Sequence, residues 1–130
     1  MQGMKFPQAP YGLKMACGEN PKRVYGSKGR APGTRMGNVA GYRAAFEKAV
    51  AYKRKWDKYE RDFAFWQQRS ANGEKKDPPS APSIDYGMET LKGVLENKIF
   101  VHNHCYRADE MHIMLDLAEQ VQARITATPP

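Results

Sequence analysis

Residues 98–128 read KIFVHNHCYRADEMHIMLDLAEQVQARITAT, and this stretch decides the fold class. Its first part, 98–104, combines β-branched and aromatic residues, a pattern typical of a β-strand. Residues 108–122 then carry apolar side chains at helical spacing, among them Met111, Met114 and Ala118. Residues 124–128 begin a further strand. A strand, a helix and a strand in this order form a β/α repeat, so the sequence predicts an α/β protein.

The longest predicted element is a helix over residues 38–70. The sequence contains no proline between Gly33 and Asp77, and its apolar residues recur every three or four positions. Such a stripe is typical of one face of an amphipathic helix, and Thr34 or Asn38 would serve as the N-cap. Aromatic residues among basic ones also suit stacking on nucleic acid, although the spacing favours a packing face. The stripe consists of Tyr42, Ala45, Ala49, Tyr52, Trp56, Tyr59, Phe63 and Trp66.

We expect residues 1–130 to form a single domain with four segments. Residues 1–37 are rich in Gly and Pro, which predicts an irregular segment with at most a short strand at 13–17 and a turn at 18–21. The helix of 38–70 follows. Residues 71–84 contain three prolines and are predicted to be a linker. Residues 85–128 complete the chain as a helix–strand–helix–strand unit.

Composition narrows the classes of function. Lys and Arg outnumber Asp and Glu by 21 to 14, and the net charge of +7 could attract nucleic acid. The mean hydropathy is −0.76, and the sequence has neither an apolar run of membrane-spanning length nor the apolar core of a signal peptide. We therefore expect a cytoplasmic protein. Cys17 and Cys105 lie far apart without a CxxC pair, so neither a disulfide framework nor a cysteine-based zinc site is expected.

Two histidines could bind a metal ion. His102 and His104 project to the same side of the predicted strand, because side chains alternate with a period of two. The pair suits a divalent metal, with His112 as a further candidate, but neighbouring imidazoles are more often ordinary surface or core residues. Cys105 beside His104 has no acid at a defined spacing, so we do not expect a Cys/His nucleophile.

Three segments follow one another in a fixed order: GLKMACGENPKRVYG at 12–26, PGTRMG at 32–37 and VHNHCYRADEM at 101–111. Together they resemble the metal-dependent amidohydrolase superfamily, in the branch of the imidazolonepropionases and prolidase-like amidohydrolases. The resemblance spans nearly the whole chain. It implies an internal, helix-dominated fragment of a (β/α)₈ barrel with its site at the C-terminal ends of the strands. It also implies a divalent metal ion, with zinc expected first, that activates water for hydrolysis of a C–N bond.

The resemblance assigns roles to particular residues. It makes His104, at the end of the fifth strand of such a barrel, a metal ligand. It makes Glu19 a second metal ligand, although Lys14 competes for that role. Three residues that follow the strand would act in catalysis or line the mouth of the site: Arg107, Asp109 and Glu110. Arg107 would orient the substrate.

The same resemblance predicts that most of the metal ligands are missing. The family's opening His-x-His pair, a later histidine and an aspartate are expected outside residues 1–130, and a catalytic zinc takes about three protein ligands. The isolated chain is therefore expected to be inactive unless copies assemble a site between them, and metal binding by the isolated chain is not expected. We expect a homo-oligomer through residues 38–69 and, in the parent enzyme, a small-molecule substrate. The alternatives are an oligomeric structural protein and a basic nucleic-acid-binding module, while no membrane partner is expected.

Overall fold

The computed structural model describes residue 6, residues 8–123 and residues 125–128. Residues 1–5 and residue 7 of the predicted irregular segment lie outside the described residues, and so does Arg124 of the predicted final strand. Within the described residues, three strands and four helices follow one another in the order β-α-α-α-β-α-β. They are β1 (Tyr11–Ala16), α1 (Glu19–Gly26), α2 (Arg35–Ala71), α3 (Tyr86–Leu95), β2 (Ile99–His104), α4 (Ala108–Val121) and β3 (Ile125–Thr128).

The three strands form one parallel sheet in the order β1-β2-β3. β1 pairs with β2 from Tyr11 opposite Ile99 to Ala16 opposite His104. β3 joins the other side of β2, with Ile125 opposite Val101. Parallel neighbours need a crossover connection; α1, α2 and α3 make the first, and α4 makes the second. The helix-dominated α/β class predicted from the sequence is confirmed.

The core lies on one face of this sheet. Side chains alternate along β2, so Val101 and Asn103 point into the core and are fully buried, whereas His102 between them is exposed. α2, α3 and α4 pack against the buried face, and burial of each large apolar side chain stabilises the fold by about 2 kcal/mol. The largest contributions from the helices come from Phe46, Val94, Met114 and Leu117.

The long helix α2 begins at Arg35, three residues before the start predicted from its apolar stripe. Thr34 is the N-cap, because its hydroxyl accepts a hydrogen bond from the backbone N–H of Gly37 at 3.0 Å. Asn38, the other capping candidate, is buried inside the helix. The helix is amphipathic and charged, and within the described residues no helix has the length and apolarity to cross a membrane.

The prediction of a turn at residues 18–21 is wrong, because α1 begins at Glu19. Pro21 lies in the first turn of this helix, where a missing backbone N–H costs no hydrogen bond. The segment between α2 and α3 has no regular structure between Glu74 and Asp85. It is fixed to α2 where the indole N–H of Trp66 donates to the carbonyl of Lys76 at 2.6 Å.

The expectation that the cysteines take no part in a disulfide is wrong. Cys17 and Cys105 directly follow the paired ends of β1 and β2, and a disulfide joins them across a Cα–Cα distance of 5.1 Å. Separation in sequence does not predict distance in space when two parallel strands bring remote residues side by side. Disulfides persist mainly in oxidising compartments, so this bond disagrees with the expected cytoplasmic location. The cytoplasmic location stays a prediction.

The N-cap of α2 gives a test of where this helix begins. Replacing Thr34 by Ala removes the oxygen that accepts from Gly37 and should lower the free energy of unfolding by about 1 kcal/mol. Thr34→Ser keeps the hydroxyl and should stay within a few tenths of a kcal/mol of the wild type. Urea unfolding followed by circular dichroism measures both. Equal loss in the two variants would show that the hydroxyl does not cap the helix.

Candidate functional site

The carboxyl ends of β1 and β2 meet at one edge of the sheet. The backbone N–H of Cys17 donates to the carbonyl of His104 at 3.0 Å and extends the pairing by one residue beyond β1. Lys14 lies opposite His102, and Ala16 lies opposite His104. These alternate positions project to the face of the sheet that the helices leave uncovered. One amine and two imidazoles therefore share that face near the strand ends.

His104 is partly buried against an aromatic neighbour. Its ring meets the ring of Tyr106 edge to face, with 4.9 Å between the centroids. The hydroxyl of Tyr106 in turn accepts a hydrogen bond from the side-chain amide of Asn20 at 3.2 Å. The loop after β2 is thereby connected to the first turn of α1, and this contact orients the His104 ring.

Glu19 is the first residue of α1, and cations already surround its carboxylate. It accepts hydrogen bonds from the Lys22 ammonium at 2.9 Å and from the Arg35 guanidinium at 3.1 Å. These two cations, Lys22 above all, hold the pKa of Glu19 below its usual range. The carboxylate is therefore charged at neutral pH, as a metal ligand must be. Binding a metal would require it to exchange these partners.

Arg35 also connects this end of α1 to α4. Its Nε lies 3.2 Å from a carboxylate oxygen of Glu110, a side chain that is only 7% exposed. Gly18 packs against the same carboxylate, since a Cβ built at Gly18 would lie 3.1 Å from Glu110 Oε2. Gly18 has a φ of 84°, a conformation that glycine adopts readily and other residues rarely do.

The two residues predicted to be catalytic are paired with each other. Arg107 donates to both carboxylate oxygens of Asp109, at 2.8 and 2.9 Å, at the start of α4. The guanidinium holds the pKa of Asp109 below its usual range. A carboxylate in the first turn of a helix is also favoured by the helix dipole. Both side chains are more than half exposed, so they are accessible from solvent.

The structure brings together only part of the predicted site. Arg107 and Asp109 form a pair, and Glu19 is joined to Glu110 through Arg35. Within the part of the chain that the structure describes, no three His, Cys, Asp or Glu side chains form a group that could hold a metal ion. Sequence reasoning missed Arg35, although it lies in the PGTRMG segment, because its partners come from two other elements.

Comparisons with known proteins find similarity in sequence and in fold to two amidohydrolases. The chain is 33% identical over 115 residues to the amidohydrolase tasK of Hapsidospora irregularis. Its fold superposes on the crystal structure of an amidohydrolase from Thermotoga maritima MSB8 with a TM-score of 0.72 and 33% sequence identity. The chain is related to the amidohydrolases. No protein-family model matches it.

The amidohydrolase relatives are much longer than the matched region. The alignment with tasK covers 88% of this chain but 11% of that protein. The superposition on the Thermotoga maritima structure covers 89% of this chain and 26% of that one. The similarity therefore concerns only a part of each relative, and it does not by itself assign the activity of a whole amidohydrolase to this chain.

Tyr42 holds the end of β1 in the amidohydrolase-like sheet. Its hydroxyl reaches from α2 and donates a hydrogen bond to the carbonyl of Ala16. Burial of the phenol raises its pKa above the ordinary value of 10.0. Because the folded-state pKa is raised, the stability linked to this group is fully present below pH 10 and is lost as pH rises through the raised pKa.

Replacing Tyr42 by Phe should therefore destabilise the protein in a pH-dependent way. We expect a loss of about 1 kcal/mol near neutral pH, because the Ala16 carbonyl loses its donor. The difference from wild type should shrink as the pH rises above about 10, because the phenol of the unfolded wild type ionises there while that of the folded protein, with its raised pKa, ionises only at higher pH. Urea unfolding at several pH values measures this, with Tyr59→Phe on the same helix as the control. A difference that does not change with pH would contradict the assignment.

Proposed function

We propose that this chain forms part of a metal-dependent amidohydrolase and corresponds to consecutive strands of its (β/α)₈ barrel. In such a barrel, neighbouring parallel strands follow one another in chain order, and helices cover only the outer face. The β1-β2-β3 order and the one-sided core support this proposal, as do the two amidohydrolase relatives. The parent activity proposed is hydrolysis of a C–N bond in a small-molecule substrate.

The observation that carries the proposal is the set of side chains on the uncovered face. Lys14 and His104 lie on neighbouring strands at the edge where barrel enzymes place their active sites. We assign His104 as a metal ligand. Lys14 suits the role of second metal ligand better than Glu19 does. Lys14 lies on the same face of the sheet as His104, whereas Glu19 already accepts hydrogen bonds from two cations. Arg107, exposed beside this edge, would orient the substrate if it released Asp109.

The described residues alone do not fit a complete metal centre. A catalytic zinc takes about three protein ligands and an open position, and the described residues form no group of three His, Cys, Asp or Glu side chains. A bound divalent metal would supply activation of a water molecule. We therefore propose that further ligands come from other parts of the parent enzyme, and that residues 1–130 by themselves do not catalyse hydrolysis.

Metal binding by purified protein tests the assignment of His104. After incubation with zinc and gel filtration, we expect the wild type to retain a sub-stoichiometric amount, because an incomplete ligand set binds weakly. His104→Ala should lose at least half of that zinc. His112→Ala, which removes an exposed imidazole paired with Asp116 on α4, should retain the wild-type amount. Elemental analysis gives all three values.

Two outcomes would count against this proposal. Equal zinc in wild type and His104→Ala would remove His104 from the metal site. Stoichiometric zinc together with hydrolysis of a dipeptide or an N-acyl amide by wild type would show that residues 1–130 already form a working centre.

A specific feature of α2 also supports self-association. The buried residues of this helix lie between Asn38 and Tyr52, so its second half extends beyond the core. That half continues the apolar stripe as a ladder of rings whose centroids are 5.4 to 5.8 Å apart, from Trp56 through Phe63 to Trp66. Phe63, in the middle of this ladder, is partly exposed. We propose that a second copy packs against this part of α2, since exposed apolar patches favour association.

Light scattering during gel filtration tests self-association. The wild type should be a dimer or a larger oligomer at micromolar concentration, and Phe63→Glu should shift it toward monomer, because it places a charge in the middle of the ring ladder. Ala64→Glu adds the same charge at the neighbouring exposed position and serves as the control. A wild type that is already monomeric would exclude the proposal, and so would equal dissociation in both variants.

A further inference from the structure

The positive charge of the chain is concentrated in one segment. Residues 14–43 contain seven Lys and Arg and one acidic residue, whereas residues 44–130 contain thirteen basic and thirteen acidic residues. The net charge of +7 therefore comes almost entirely from the end of β1, all of α1, the loop after it and the start of α2. A local excess of this size attracts anions to one part of a protein rather than to its whole surface.

Three cations of this segment lie around an exposed aromatic ring. The backbone N–H groups of Lys28 and Arg30 both donate to the carbonyl of Tyr25, at 3.1 and 2.9 Å, so one turn at the end of α1 brings the three residues together. Arg23 precedes them in the last turn of α1. Every residue from 23 to 30 is exposed.

These three cations, Arg23, Lys28 and Arg30, are called the basic cluster below. None of them forms an ion pair with another described residue, whereas Lys22 and Arg35 nearby both pair with Glu19. The charge of the basic cluster is therefore not neutralised within the described part of the chain and remains available to an anionic ligand.

A groove of about 460 Å³ lies beside the basic cluster. Val24 and Tyr25 of α1 line it together with Pro21 and Pro32, and none of its lining residues is charged. An uncharged groove with an aromatic side chain, bordered by unpaired cations, suits a ligand that carries flat rings on a polyanionic backbone.

We infer that this groove and the basic cluster bind single-stranded nucleic acid. A base would stack on the ring of Tyr25, and the three cations would contact the neighbouring phosphates. Stacking on a side chain needs a base whose face is free, and a single strand offers such a base whereas a duplex does not.

An anionic membrane fits the same residues less well. A helix that lies in a membrane surface presents a continuous apolar face beside its basic residues. The exposed apolar residues of α1 are Val24 and Tyr25, which are adjacent in sequence and so point about 100° apart on the helix. They form no such face.

Fluorescence anisotropy of the 130-residue chain with a labelled oligothymidylate tests this inference. The matched probe is the same oligonucleotide paired with oligoadenylate, because the duplex keeps the phosphates, carries more charge per length and hides the bases. We expect the single strand to bind about tenfold more tightly than the duplex at about 0.15 M salt, as one stacked base allows. Equal or tighter binding of the duplex would overturn the inference, and so would no binding of the single strand at low salt.

Substitution of the aromatic ring separates stacking from charge. Tyr25→Ala should weaken binding of the single strand about tenfold, whereas Tyr25→Phe keeps the ring and should bind as the wild type does. Tyr86→Ala, which removes a tyrosine that is 84% exposed at the start of α3, is the control and should leave the affinity unchanged. Equal affinities in Tyr25→Ala and the wild type would show that no base stacks there.

The salt dependence of binding tests the basic cluster. Three phosphate contacts predict that the logarithm of the affinity falls with the logarithm of salt concentration with a slope of about −2. The combined variant Arg23→Gln, Lys28→Gln and Arg30→Gln should remove most of this slope.

A variant of the same net charge provides the control for the basic cluster. Lys48→Gln, Arg54→Gln and Lys55→Gln together replace three exposed cations of α2 and should keep the wild-type slope. Equal loss in both combined variants would show that only the net charge matters. Tighter binding to phosphatidylserine vesicles than to the oligonucleotide, lost in the cluster variant, would assign the surface to a membrane instead.

Discussion

Parallel pairing of β1 with β2 is the constraint on which the rest of the structure depends. It places residues 11–16 beside residues 99–104, and this requires everything between them to form one crossover. The crossover helices and α4 lie on the same side, so one face of the sheet forms the core and the other remains uncovered. The pairing also sets the position of the site, because His104 and Lys14 reach the same edge and the same face only in this register. Asn103 points to the opposite face of the sheet, where its side chain is fully buried.

Around this edge, electrostatic contacts join elements that the sheet alone does not hold. Arg35 donates to Glu19 of α1 and faces Glu110 of α4, so one guanidinium at the start of α2 connects three helices. The exposed pair with Glu19 contributes little stability, whereas removing one partner of the largely buried contact with Glu110 would leave a charge in an apolar wall. The main role of these contacts is therefore to position the loops that follow the strands.

The elements that could be predicted from the sequence are those in which apolar side chains recur at the regular spacing of a helix or a strand. The stripe of α2, the alternation of β2 and the apolar face of α4 are each visible within a dozen residues, and the structure places all three near their predicted positions. The helix at Glu19 was missed, because Gly-Glu-Asn-Pro is equally typical of a turn and of a helix start with proline in its first turn. The contacts of Arg35 and the pairing of Cys17 with Cys105 depend on the strand register, which no local pattern contains. For the site, the position of His104 on the strand could be predicted from the sequence, but tertiary contacts decide which partners surround Glu19.

The long first crossover has a consequence for how the chain folds. Tyr11 pairs with a residue 88 positions away, whereas the separation between the β2 and β3 partners is about a quarter of that. Loop-closure entropy grows with the logarithm of length, so docking β1 costs about 1 kcal/mol more in entropy than closing β2 onto β3. The β2–α4–β3 unit is thus the more local part of the fold and the natural place for assembly to begin. We therefore expect the edge that carries Lys14 to be completed last, when the most distant strand joins.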